Sequence, residues 1–169
     1  PDKEIRQTLQ LSWNRAVKNH VGIPRLNNAS WDVYMSDKEN SSRTDAWSKP
    51  FTVAYYEQGL PHGYTTYKTT KIRGTNKILD KRIIQATEII HSSPASHAAL
   101  WSHLLNIDFN DEIITRRAHA DDALSWMLSD ARQLQRSPYD GVWYRLLDVA
   151  KALAKRKYMN NGHLVFDVI

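Results

Sequence analysis

Ile5, Leu9, Trp13 and Val17 recur at four-residue spacing, which places one apolar stripe along a helix near the start of the chain. Asp2 is positioned to cap that helix, and Gly22 and Pro24 to end it. From Arg25 to Pro50 the chain is polar, with a short helix expected around Trp31 to Met35 and a loop through "SDKENSSRTDAWSK". "FTVAYYEQGLPHGYTTYKTT" has two β-rich runs around Gly59, Pro61 and Gly63, the composition of a hairpin. "KRIIQATEIIH" is β-branched and mostly apolar, as a strand covered on both faces is. Ser93 as cap and Pro94 at the first helical position then open a helix, with Leu100, Trp101, Leu104 and Leu105 as its expected buried stripe.

"DEIITRRAH" predicts a strand, and "DDALSWMLSDA" a short helix with Leu124, Met127 and Leu128 inward. In "DGVWYRLLDVAKALAKRKY" the period changes. Val142, Tyr144 and Leu146 alternate with Trp143, Arg145 and Leu147, as in a strand; Trp143 is expected in the core, and Arg145 over a sheet edge or beside an acid. From Asp148 onward, Val149, Ala152 and Leu153 share a helix face, with Lys151, Lys155, Arg156 and Lys157 towards water. Asp148 at the switch reads as a helix cap, and "HLVFDVI" as a last strand. The order predicts an α+β fold, a mixed α/β sandwich with a central sheet flanked by helices.

At 169 residues the chain suits a single domain over 1–169. A hydrophobic fraction of 41% and a charged fraction of 24% are those of an ordinary globular protein. No apolar run approaches the ~20 residues that span a bilayer, so no membrane partner is expected. With no cysteine, disulfides, thiolate metal sites and cysteine nucleophiles are excluded, which fits a cytoplasmic location. The net charge of +5 and the tryptophans among lysines raise an alternative, a basic nucleic-acid-binding module. The charges are dispersed, however, and the densest cluster, Lys151 to Lys157, reads as the wet face of a helix.

Chemistry is harder to find. Of seven histidines, His97 and His103 share a helix but lie about 600° of rotation apart; no metal site is expected, and the histidines read as surface or rim residues. No serine sits in G-x-S-x-G, and Ser93 and Ser96 are accounted for as helix-start residues. The adjacent Asp121 and Asp122 read as helix-opening carboxylates rather than an acid–base pair. The best place for a phosphate is the turn from "KRIIQATEIIH" into the next helix. That turn, "HSSPASH", has no glycine to let a diphosphate approach the main chain, and Pro94 removes one amide. No nucleotide or coenzyme cradle is expected there.

"YDGVWYRLLDVAKALAKRKY" resembles the signature D-x-L-W-x-R-x-x-D-V-x-x-A-L-x-x-R-x-Y of the enhanced-intracellular-survival (Eis-type) acetyltransferases of the GNAT superfamily. The match falls on Asp140, Trp143, Arg145, Asp148, Val149, Ala152, Leu153, Arg156 and Tyr158. "ALWSHLLNID", "DDALSWMLSDARQLQ" and "VGIPRLNNASWDVYM" resemble further blocks of that family, in the same order.

The resemblance implies a GNAT-like domain, the central part of a three-part chain. An N-terminal GNAT domain that binds acetyl-CoA would precede it and a sterol-carrier-like domain follow, which fits a start at Pro1 and an apolar end at Ile169. It also implies a degenerate copy, since the family's pyrophosphate loop would fall at "HSSPASH". Acetyl-CoA would then serve the parent chain and no cofactor this segment. No catalytic residue carries over, and the segment alone is expected to be inactive. Asp140 and Tyr158 are the candidates for the wall of an acidic pocket that takes an amine, an aminoglycoside or a lysine-like group. Both have plainer readings, Asp140 as a turn before Gly141 and Tyr158 as a helix-end anchor. Sister domains and a homo-oligomer are the implied partners.

Overall fold

The computed structural model describes residues 3–19, 24–40, 47–72, 80–119, 121–141, 143–160, 162, 163 and 165. They order as α1 (Lys3–Asn19), α2 (Asn28–Asn40), β1 (Phe51–Glu57), β2 (Leu60–Ile72), β3 (Lys81–His91), α3 (Pro94–Leu105), β4 (Glu112–Thr115), α4 (Leu124–Met127), a 3-10 turn (Ala131–Gln133) and α5 (Val149–Ala154). The chain divides into two compact units, 1–131 and 132–169.

The first unit is built on a four-stranded sheet in the order β1-β2-β3-β4. Gln58 and Gly59 both take positive φ, 51° and 77°, which is the twist a two-residue hairpin loop needs between β1 and β2. β2 and β3 pair antiparallel, and β3 pairs with β4 in parallel from Ile83↔Glu112 to Ala86↔Thr115. A parallel neighbour requires a crossover, which α3 supplies. The fold is thus a mixed α/β sheet with helices about it, as the residue pattern predicts.

Both faces of the sheet are covered. Tyr64 points into a core with Leu9, Trp13 and Ala16 of α1 and Trp31 and Met35 of α2. The neighbouring Gly63 faces the other way, towards Leu100 of α3. A Cβ at Gly63 would stand 2.6 Å from the Ile90 carbonyl oxygen and 3.2 Å from His91 Cα, so β2 and β3 approach there too closely for any side chain. The indoles of Trp13 and Trp31 meet edge-on at 5.8 Å, and Trp13 Nε1 donates to the Pro24 carbonyl at 2.9 Å.

Several expectations need correction. The α1 stripe runs through Leu9, Ser12, Trp13 and Ala16, while Ile5 is exposed, because tertiary packing starts one turn later. α2 is longer than the expected Trp31 to Met35. Leu105 and Met127 are exposed rather than inward, whereas Leu124 is buried. His97, read as a rim residue, is buried. The Asp2 cap and Gly22 lie outside the described residues.

In the second unit, 143–147 carries no strand; Trp143 and Leu147 are 82% and 94% exposed, and Tyr144 and Leu146 are exposed too. A strand needs a hydrogen-bonding neighbour, and among the described residues of this unit there is none. The core place expected for Trp143 and the sheet-edge place for Arg145 are therefore corrected. Asp148 does cap α5, accepting from the Lys151 amide at 2.9 Å. The final strand lies mostly outside the described residues, and residues 162, 163 and 165 are not in a strand. Among the described residues no helix is long and apolar enough to cross a membrane.

Candidate functional site

The corner between β3 and α3 is where the residue pattern would seat a phosphate, and the amides of Ser92, Ser93, Ser96 and His97 there are already committed. Ser96 Oγ accepts from the amides of Ser92 and Ser93, at 3.3 and 3.1 Å. The Ser92 amide also reaches the His62 carbonyl at 3.0 Å. Ser93 Oγ accepts from the Ser96 amide at 3.2 Å, which completes a reciprocal capping box. Pro94 has no amide to offer, and the His97 amide goes to the Ser93 carbonyl. A helix N-terminus binds anions through its orphan amides; here Ser93 satisfies that of Ser96, while the exposed Ala95 amide has no hydrogen-bond partner among the described residues.

A negative charge sits close by as well. His97 Nε2 lies 3.1 Å from Trp101 Nε1 and 3.3 Å from Asp122 Oδ1. An indole N–H only donates, so a neutral His97 with its lone pair on Nε2 serves Trp101, and a proton on Nε2 serves Asp122. The His91 ring packs against His97 with centroids 4.2 Å apart. Burial of Asp122 opposes its ionisation, but the His97 hydrogen bond, the Leu124 amide and the nearby positive charge of His97 and His91 together hold its carboxyl below the usual range. The carboxylate is thus kept ionised beside the His97 ring, a side chain of the first turn of α3. Asp122 accepts from the Leu124 amide at 2.8 Å, but the cap of α4 is Ala123, which has no side-chain cap, so the expected capping role of Asp122 is corrected to a turn contact one residue ahead of the helix.

A second feature was not visible in sequence. The β3–β4 ladder ends at Ala86↔Thr115, while β3 continues to His91. A cavity of about 370 Å³ opens there, lined by Tyr34, Thr66, Lys68, Glu88, Arg116 and Arg117 among others. Glu88 is buried, and its carboxyl accepts a hydrogen bond from the Tyr34 hydroxyl, which in turn bonds the Tyr64 hydroxyl at 2.8 Å. Burial pushes the Glu88 carboxyl up to about 8, against the opposing pull of the Arg117 charge. Burial likewise raises the Tyr64 phenol well above its ordinary value. The available signal was one carboxylate in a β-branched, mostly apolar strand; its tyrosine and arginine partners come from α2 and the turn after β4.

Asp140 and Tyr158, the candidates for a pocket wall, belong to the second unit. Asp140 is exposed and, among the described residues, makes no hydrogen bond or ion pair. The Tyr158 hydroxyl donates to the Leu153 carbonyl at 3.1 Å, anchoring the end of α5, and its ring is mostly exposed. No hydrogen bond joins the two side chains. Among the described residues no three His, Asp or Glu side chains converge as a metal site would require.

The profile of the acetyltransferase (GNAT) domain family matches residues 23–146. An uncharacterized N-acetyltransferase of Streptomyces avermitilis is 32% identical over 125 residues, 73% of this chain and 30% of that protein. A second from the same organism aligns at 28% identity over 98% of this chain and 39% of its own length. The N-acetyltransferase Eis of Mycobacterium tuberculosis is 31% identical over 100 residues, 58% of this chain and 23% of that protein. The crystal structure of Eis1 from Mycobacterium abscessus superposes with a TM-score of 0.58 at 25% identity, over 77% of this chain and 31% of the other. The chain therefore spans well under half the length of these relatives. From its mixed sheet with a helical crossover and from these matches, the chain belongs to the GNAT acetyltransferase family and is of the Eis type.

Proposed function

We propose that this chain is a degenerate GNAT copy that does not hold acetyl-CoA. Within a longer acetyl-CoA-dependent N-acetyltransferase it shapes the amine-acceptor pocket and offers surface to neighbouring domains. The observation that carries this reading is the β3–α3 corner. The amides of Ser92, Ser93 and Ser96 are bound by the corner's own serines and by His62, Pro94 has none, and Asp122 adds a carboxylate behind His97. A diphosphate would have to break the capping box and face a like charge. The residues present at this corner do not fit the coenzyme's diphosphate.

In this reading the acetyl donor is bound by an N-terminal GNAT domain, a sterol-carrier-like domain follows, and the assembled chain acts in the cytoplasm as a homo-oligomer. The acceptor is a cationic amine, an aminoglycoside or a lysine side chain. Asp140 is the residue that would attract it, a reading supported by a carboxylate that is exposed and, among the described residues, makes no hydrogen bond or ion pair. The nucleic-acid reading has less support, because Lys71, Lys81 and Lys151 pair with Asp80, Glu112 and Asp148 at 2.5, 2.6 and 2.8 Å. Calorimetric titration of the chain with acetyl-CoA, with folding checked by circular dichroism, tests the proposal. No binding heat is expected, and a micromolar dissociation constant overturns it.

A further inference from the structure

The contact among His97, Trp101 and Asp122 has two arrangements that exclude each other. His97 Nε2 lies 3.1 Å from Trp101 Nε1 on its own helix and 3.3 Å from Asp122 Oδ1 on the segment ahead of α4. One ring nitrogen offers either a lone pair or a hydrogen, never both. We propose that His97 is a proton-operated latch. Protonated, it ties Asp122 and the residues up to Leu128 to α3; neutral, it bonds the Trp101 indole and lets them go.

The side chains of His97 and Asp122 are only 4% and 12% exposed, so water screens the pair little. Among the described residues, the Asp122 side chain has one other hydrogen bond, from the Leu124 amide at 2.8 Å. α4 spans four residues, of which Leu124 alone is buried. So short a helix does not hold itself together, and one buried ion pair weighs heavily in its hold on α3. Trp101 and Leu124 also line an apolar groove of about 260 Å³ between the two helices, so the latch sets how far that groove opens.

The groups that face His97 come from three elements. His91, at the end of β3, stacks on it with centroids 4.2 Å apart; Trp101 belongs to α3; Asp122 arrives from the segment after β4, where its amide donates to the His119 carbonyl at 3.1 Å. A charge on His91 opposes a charge on His97 at that spacing, and Asp122 is the acid that offsets it. Against its own desolvation, the His97 hydrogen bond and the Leu124 amide hold the Asp122 carboxyl below its ordinary value. Asp122 therefore stays ionised over the range in which imidazoles change charge, and the ring is the part that switches.

An NMR titration of the isotopically labelled 169-residue chain from pH 5 to pH 8.5, following the His97 ring nitrogens and the Trp101 indole N–H, tests this. The two are expected to move together through one transition, with the indole hydrogen shifting downfield as His97 loses its proton. Asp122→Asn removes the charge that favours the imidazolium and lowers the midpoint by about one pH unit; Trp101→Phe removes the donor that favours the neutral ring and raises it. A contact that is only structural gives no such opposed shifts. Protection of the Leu124 and Leu128 amides from hydrogen exchange, corrected for pH, is expected to fall at least about threefold across the transition and to stay level in Asp122→Asn. An indole signal that does not follow the His97 titration overturns the latch. So does a midpoint that Asp122→Asn leaves in place, or protection that is constant across the transition, in a chain whose circular dichroism is native. Should Trp101→Phe fail to fold, the unsubstituted chain and Asp122→Asn still decide the matter.

Discussion

Glu88→Gln is predicted to stabilise the chain, although it changes a buried, hydrogen-bonded side chain. In the unfolded chain this carboxyl ionises near 4.5, and in the folded chain only near 8. At pH 7 folding must therefore bind a proton that the unfolded chain has released. At about 1.4 kcal/mol per pH unit this costs about 3 kcal/mol at pH 7 and levels off near 5 kcal/mol above pH 8. The sign follows from the raised folded value: the contribution of the neutral acid is intact below pH 4.5 and is lost as pH rises through 8. Glutamine keeps an oxygen that accepts from Tyr34 and has no proton to bind, so it avoids the whole penalty. Urea unfolding of both chains at pH 4.5, 7 and 9 reads it out. The stability difference should be near zero at pH 4.5, about 3 kcal/mol in favour of glutamine at pH 7, and larger at pH 9. An advantage that does not change with pH refutes the reasoning, and so does a loss of stability at pH 9.

Three further outcomes follow from particular contacts. Gly63→Ala places a methyl 2.6 Å from the Ile90 oxygen, where only main chain could yield; it should cost about 1–3 kcal/mol in urea unfolding, and a neutral result would contradict the close approach. Ser12 Oγ is buried in α1 without a hydrogen-bond partner among the described residues, so Ser12→Ala should leave stability unchanged or raise it by about 1 kcal/mol, measured as a shift in denaturation midpoint; a loss above that size would reveal a partner. In a full-length relative carrying this segment, Asp140→Asn should raise KM for a cationic amine several-fold and leave KM for acetyl-CoA unchanged; an unchanged amine KM removes Asp140 from the acceptor pocket.

Local chemistry was legible in the residues, and long-range chemistry was not. The start of α3 needs only a serine, a proline and a second serine three residues after the cap, all within one turn. β3 is equally local and runs where the pattern places it; the hairpin also forms, but its turn is Gln58-Gly59, and Pro61 and Gly63, expected in the turn, lie inside β2. α2 was foreseen only in part, because its apolar residues do not form one stripe: Trp31 and Met35 are buried while Val33 is exposed. The run from Trp143 to Leu147 misled for a physical reason. Alternation describes a surface suited to pairing and says nothing about whether a partner strand is present. Glu88 and the His97–Asp122 pair depend on residues that the fold brings together from distant positions. Asp122 reads as a helix-opening acid, but nothing in the spacing reveals that it reaches His97, 25 positions earlier.

The central claim is that the amides of Ser92, Ser93, Ser96 and His97 at the β3–α3 corner are spent on the corner itself. Titrating acetyl-CoA into the isotopically labelled chain and following the amide signals of Ser92, Ser93, Ser96 and His97 tests it most directly. The account predicts that these four signals stay in place up to saturating coenzyme. Progressive, saturable shifts confined to them would contradict it.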